Sequence, residues 1–176
     1  NPEMEHSERL ANARLALHLV LLSQGVPFIH SGQEFFRHKN LLDNSYNISD
    51  DINRLDWQRL MEYEQDVNFI RDLIAFRKAH PLLSLESRND ILEACQVKWI
   101  NDSLVEYSIS QKDQQLTILI NFSSEEQTCQ NSLQQQVFVA YPMISENNAL
   151  IPLATQFIAS SITHYTIPAK QVFVLK

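Results

Sequence analysis

Residues 23–36 read SQGVPFIHSGQEFF, and this stretch decides how the first half of the chain folds. Both glycines of the 176-residue chain, Gly25 and Gly32, fall inside it, whereas average usage would spread about twelve along such a length. Gly25 stands just beyond a helical pattern, where a helix end favours a residue tolerant of positive φ. Between the glycines, VPFIHS is an apolar run of strand length. The expected order is helix, tight turn, buried strand.

Upstream, residues 5–24 place Leu10, Ala13, Leu17, Val20 and Leu21 at spacings of three and four, with Ala11, Leu15 and Leu19 widening the stripe. That pattern predicts a helix buried over much of its circumference. Downstream, RHKNLLDNSYNISDDINRLDW, residues 37–57, has no period and is rich in Asn, Asp and Ser. A connection of that length in a compact domain is usually functional. From Gln58 to Ala79 the helical period returns through Leu60, Met61, Tyr63, Val67, Ile70, Leu73, Ile74 and Arg77, and His80-Pro81 stops it.

Beyond Pro81 the period changes to alternation. ILEACQVKWI, SLVEYSIS, LTILINFS, QVFVAY, LIPLATQF, ITHYTI and KQVFVLK are short strand candidates separated by Asn-Asp, Lys-Asp, Ser-Ser-Glu-Glu and Pro signals. Seven such strands predict an antiparallel β-sandwich, expected to fold as a unit. The boundary falls at 82–88, giving segments 1–82 and 83–176. The fold class expected is α+β.

Fourteen basic against twenty-one acidic residues leave a net charge of −7, without the basic excess that nucleic acid attracts. The longest apolar stretch, LALHLVLL, is broken by His18 and is far short of the roughly 20 residues a bilayer requires. Neither nucleic acid nor membrane is an expected partner. Cys95 and Cys129 have no CxxC or CxxxH companion, so they predict two buried thiols of a reducing compartment rather than a zinc site. A buried strand needs neighbours on both edges, and only one precedes the alternating half. The first half is therefore expected to be a piece of a larger sheet or barrel, which also suits a chain that opens at Asn1 with its first Met at Met4.

SQGVPFIHSGQEF, then NSY, then DDINRLDW, then LIAFRKAHPLLSL together resemble the end of the catalytic barrel of an α-amylase superfamily glycoside hydrolase, most of all a type I pullulanase. The likeness spans residues 9–82. QG-PF-GQE marks the eighth barrel strand across the superfamily, while NSY followed by N-x-LDW is particular to the pullulanase branch. The resemblance implies that residues 1–82 are the last helix–strand–loop–helix of a (β/α)8 barrel and that 83–176 are the sandwich following it, with Lys176 near the natural C-terminus. It implies an enzyme cleaving α-1,6-glucosidic bonds in pullulan, glycogen or branched dextrins with retention, which needs two carboxylates about 5 Å apart. The family's catalytic carboxylates lie upstream, so no catalytic residue is expected in this chain, and the chain alone is expected to be inactive. The expected partners are an α-glucan substrate, the missing N-terminal part of the barrel and, when that part is absent, a second copy of the chain.

Within the loop, Asn44, Tyr46, Asp50, Asn53 and Arg54 supply amides, carboxylate, guanidinium and an aromatic ring within eleven residues. That mixture binds sugar hydroxyls and pyranose faces. By resemblance, Asp50 and Arg54 match positions contacting glucose units on the non-reducing side of the cleavage point, while Asn44 and Tyr46 belong to the NSY signature. The competing expectation is a brace, with Asn44 satisfying backbone and Trp57 packed beneath the loop. The acids Glu34, Asp43, Asp50, Asp51 and Asp56 are not expected to form an acid/base pair of their own, since Glu34 is better placed to accept backbone N–H bonds. No cofactor is expected. Calcium is a weak candidate for DNSYNISDD, because an EF-hand loop would want Gly at Ile48 and Glu at Arg54. His6, His18, His30, His38, His80 and His164 lack metal-ligand spacing. The chain departs from the family at RHKN, with His38 for Thr and Leu41 where Gly is usual; if that glycine has positive φ, Leu41 would be strained by about 1 kcal/mol. Arg77 matches a family position able to bridge the last helix and the sandwich. Two alternatives stand beside the hydrolase. One is a non-catalytic carbohydrate-binding or structural module; the other is a different superfamily specificity, such as isoamylase, against which NSY with N-x-LDW weighs.

Overall fold

The computed structural model describes residues 4–40, 42, 44–130, 137–141 and 164–175. The chain is α+β with antiparallel sheets. Helix α1, His6–Leu22, buries Leu15, Leu17, Leu21 and Leu22, and α4, Glu64–Ala79, buries Phe69, Ile70, Leu73 and Phe76. Arg14 of α1 grips Asp66 of α4 in a two-pronged pair, Nε to Oδ1 at 2.6 Å and Nη2 to Oδ2 at 2.9 Å. His18 is fully buried between the helices, its Nδ1–H donating to the Arg14 carbonyl at 2.7 Å and its ring 4.8 Å from that of Phe69. Burial pushes its pKa down to about 4.

Arg77 closes the other end of this pair. Its Nη1 donates to the carbonyls of Leu21 and Ser23 and its Nη2 to that of Gly25, each at 2.6 Å, so it satisfies acceptors left open at the end of α1. The guanidinium thus ties α4 to α1 and the turn after it.

Three expectations for the first half need correction. Residues 26–31 do not form a strand: among the described residues they join no sheet ladder, and Val26 is 96% and Phe28 80% exposed. An apolar strand sequence can only ladder with neighbours, and the described residues supply none. The helix expected from Gln58 is two, α3 at Trp57–Glu62 and α4, parted at Tyr63 with φ −110° and ψ 31°. The long loop contains a one-turn helix, α2, at Asp50–Asn53.

In the second half, ILEACQVKWI splits. Its start belongs to α5, Arg88–Ala94, because Ser87 caps that helix by accepting from the Asp90 N–H at 3.0 Å while its hydroxyl donates to the Asp90 carboxylate at 2.6 Å. Only Cys95–Trp99 is strand, β1. Then come β2 at Leu104–Gln111, β3 at Gln114–Asn121, β4 at Gln127–Gln130, β5 at Val137–Tyr141, β6 at His164–Ile167 and β7 at Val172–Leu175. β4 is absent from the strands expected above, and LIPLATQF lies outside the described residues. The strands build one sheet ordered β1-β2-β3-β7-β5 and a pair, β4-β6, all neighbours antiparallel. Lys112-Asp113 makes the tight β2–β3 turn, with Lys112 at φ 55°.

Alternation assigns the two faces of the larger sheet. Val105, Ile109, Leu116, Ile118, Ile120, Val172 and Val174 join one hydrophobic cluster with α1 and α4. Leu104, Leu119, Phe173 and Leu175 join a second with Cys129, Tyr165 and Ile167 of the strand pair. Helices therefore cover one face of the sheet and β4-β6 the other. Among the described residues no helix is long and apolar enough to cross a membrane.

Candidate functional site: the loop after Gly32

The loop is launched by a sharp reversal. Gly32 has φ 90°, a short 3-10 turn covers Gln33–Phe35, and Phe36 is left-handed at φ 55°. A Cβ on Gly32 would lie 2.9 Å from the Arg37 Cβ and 3.1 Å from Leu55 Cδ2, so only glycine fits. Glu34 accepts the Gly32 N–H at 3.0 Å, a local backbone role of the kind expected for it. Arg37 returns over the turn, its guanidinium donating to the carbonyls of Ser31 at 3.4 Å and of Asn53.

Asn53 organises the rest of the loop. Its Nδ2 donates to the carbonyls of Ser45 at 2.6 Å and Ile48 at 2.9 Å, while its Oδ1 accepts from Lys39 Nζ at 2.9 Å and Ser45 Oγ at 3.0 Å. Lys39 also donates to Ser45 Oγ at 2.7 Å, and Ser45 is buried. Asn53, expected among the sugar-binding side chains, has its amide engaged on both sides by the loop itself. Lys39 and Ser45 are positioning residues that sequence reasoning missed; RHKN just ahead of NSY was the available signal.

The other four candidates face outward. Asn44 is exposed and turns its Oδ1 to the Tyr46 N–H at 3.2 Å, while Tyr46 is 83% exposed. Asp50 opens α2 and Arg54 ends it, with the Arg54 N–H donating to the Asp50 carbonyl at 2.7 Å, which spaces the two side chains one helical turn apart. Both are exposed, and neither side chain has a hydrogen bond or ion pair among the described residues. Trp57 is not packed beneath the loop: it is 62% exposed, its ring 6.2 Å from Phe35. The loop is thus a braced base of Arg37, Lys39, Ser45 and Asn53 holding up a polar and aromatic surface. Such a surface can accept and donate hydrogen bonds to hydroxyls and stack on a sugar ring. Leu41 and Asp43 lie outside the described residues, so the strain expected at Leu41 does too. Among the described residues no three His, Cys, Asp or Glu side chains come together as a metal site would need.

No protein-family model matches the chain. Among curated proteins, it is 45% identical over 113 residues to a pullulanase of Bacillus subtilis strain 168, covering 64% of this chain and 16% of that protein. It is 34% identical over 100 residues to an isoamylase of Flavobacterium, covering 53% of this chain and 13% of the other. Among solved structures, pullulanase type I from Bacillus subtilis strain 168, complexed with maltose, matches with a TM-score of 0.83 and 30% identity over 99% of this chain and 24% of that one. By sequence and by fold the chain is similar to pullulanases and isoamylases, which are glycoside hydrolases. The likeness in structure is to a type I pullulanase, the branch that NSY and N-x-LDW resemble. It spans 16% of the length of the curated pullulanase and 24% of the solved chain.

Proposed function

We propose that the chain is the C-terminal part of a pullulanase-like debranching glycoside hydrolase that cleaves α-1,6-glucosidic bonds by a retaining mechanism, with the catalytic carboxylates carried by sequence outside it. Residues 1–82 would be the last part of the (β/α)8 barrel and 83–176 the β-sandwich behind it. The observation that carries this reading is the agreement of nearly the whole chain with a type I pullulanase fold, joined to a loop whose base is internally hydrogen-bonded while its polar rim stays exposed. Residues 26–31, largely apolar and in no sheet ladder among the described residues, fit a barrel strand whose neighbours come from that outside sequence.

In this reading Asp50 and Arg54, one turn apart and without side-chain partners among the described residues, hold hydroxyls of the α-glucan. Asn44 and Tyr46 shape the rim beside them, and Asn53 fixes the spacing. The test is an assay of reducing-end release from pullulan by this chain alone and by the same chain joined to its upstream coding sequence, with the anomer of the first product followed by proton NMR. Activity only in the longer protein, releasing the α-anomer first, is the expected result. A longer protein that binds glucan but cleaves nothing would instead mark a carbohydrate-binding module.

A further inference from the structure

A second cavity lies between the start of α1 and the reversal after Gly32, about 640 Å³ in volume. Arg9, Arg37, Arg59, His6 and His38 line it, Phe36 contributes an aromatic wall, and among the described residues no Asp or Glu does. For a chain of net charge −7, such a concentration of basic side chains is out of proportion. None of the three arginines forms an ion pair among the described residues.

The side-chain hydrogen bonds of Arg37 and Arg59 go to neutral carbonyls. Arg59 donates through Nη2 to the Phe36 carbonyl at 3.1 Å, and Arg37 to the carbonyls of Ser31 and Asn53. The Nε–H groups of both are shielded from solvent and have no acceptor among the described residues. The protein meets these partly buried guanidinium groups with carbonyl dipoles, where a bound anion would interact more strongly. Glu5, Glu8 and Glu62 line one neighbouring cavity, and Asp51 and Asp56 share a smaller one with Arg37, His38 and Arg59 without forming an ion pair to them among the described residues.

We propose that this cavity binds an oxyanion of the phosphate class, presented as the phosphate ester of a small molecule. Guanidinium groups pair with phosphate oxygens through two parallel N–H bonds. The volume lies in the range of small-molecule sites and exceeds what a bare oxyanion occupies, and the Phe36 ring with the apolar Leu10 and Ala13 offers a wall for the body carrying it. The inference does not depend on the hydrolase reading.

The test is isothermal titration of the full chain with glucose 6-phosphate, orthophosphate and glucose, in chloride of matched ionic strength. Binding of glucose 6-phosphate without binding of glucose supports the site, and orthophosphate binding equally well would assign it to the free ion. Arg9→Gln, an exposed position, and Arg59→Gln should each weaken binding about fivefold or more. Should Arg59→Gln impair folding, Arg9→Gln alone carries the measurement. Absence of any heat beyond the chloride control, or phosphate binding untouched by Arg9→Gln, overturns the proposal.

Discussion

Asn53 holds Ser45 from two sides: its Nδ2 donates to the Ser45 carbonyl at 2.6 Å, and its Oδ1 accepts from the Ser45 hydroxyl at 3.0 Å. One side chain thereby fixes the distance between the NSY segment and α2. Asn53→Ala removes this clasp and leaves Lys39 Nζ without one of its acceptors. It should destabilise the protein by about 2 kcal/mol, read as a fall in melting temperature together with faster proteolysis between residues 44 and 53. An unchanged melting temperature would mean that water replaces the clasp without loss.

Asp50 and Arg54 should behave in the opposite way. In the longer enzyme, Asp50→Ala and Arg54→Ala should each lower kcat/KM on pullulan by an amount equivalent to roughly 1–3 kcal/mol, because a sugar hydroxyl is left unpaired. The melting temperature should stay within about 2 °C, since both side chains are exposed and make no hydrogen bond or ion pair among the described residues. Large losses of stability with intact kinetics would make them part of the brace.

His18 gives the fold a pH dependence. Its folded pKa, near 4, lies below the 6.5 of the free side chain, so protonation favours the unfolded chain. The stabilisation is complete above about pH 6.5 and is lost as pH falls toward 4, to a limit of about 3 kcal/mol. Urea titrations across that window should show the decline. In His18→Leu the slope should flatten, and an equal slope in both proteins would assign the effect to other groups.

Gly25 and Gly32 share a φ of about 90° but not their surroundings. A Cβ at Gly25 meets nothing within 4 Å, whereas at Gly32 it meets Arg37 and Leu55. Gly25→Ala should cost about 1 kcal/mol for its backbone alone, and Gly32→Ala clearly more because of the clash. Equal melting temperatures for the two variants would show that Arg37 yields freely.

Val26 and Phe28 present apolar surface beside an unpaired backbone, a template for association. Sedimentation of the chain alone should reveal concentration-dependent self-association, and Val26→Ser with Phe28→Ser should shift it toward monomer. A monodisperse monomer before substitution would count against it.

How much of the fold is legible from the residues depends on the reach of each interaction. Helix α1 is readable because its buried leucines recur at helical spacing, and the β2–β3 hairpin because Lys112-Asp113 punctuates two alternating runs. Residues 26–31 mislead because strand character there describes neighbours that are not among the described residues. ILEACQVKWI looks like one strand since alternation outweighs the Ser87–Asp90 capping pair, a local signal present in the sequence. The rim of the loop is legible from residue types, but the role of Asn53 is not. Its partners, Ser45 and Lys39, stand eight and fourteen positions away, and no periodicity links them.

The hydrophobic cluster spanning α1, α4 and the larger sheet also bears on how the chain can be cut or recombined. Severing near residue 82 would take α1 and α4 out of that cluster and leave this face of the five-stranded sheet only the cover that Leu83, Leu85 and α5 give it. The β segment is thus a poor candidate for transplantation: grafted onto an unrelated catalytic domain, it would need a helical surface of the same contour to settle upon. Modularity here is limited by shared packing rather than by linker length.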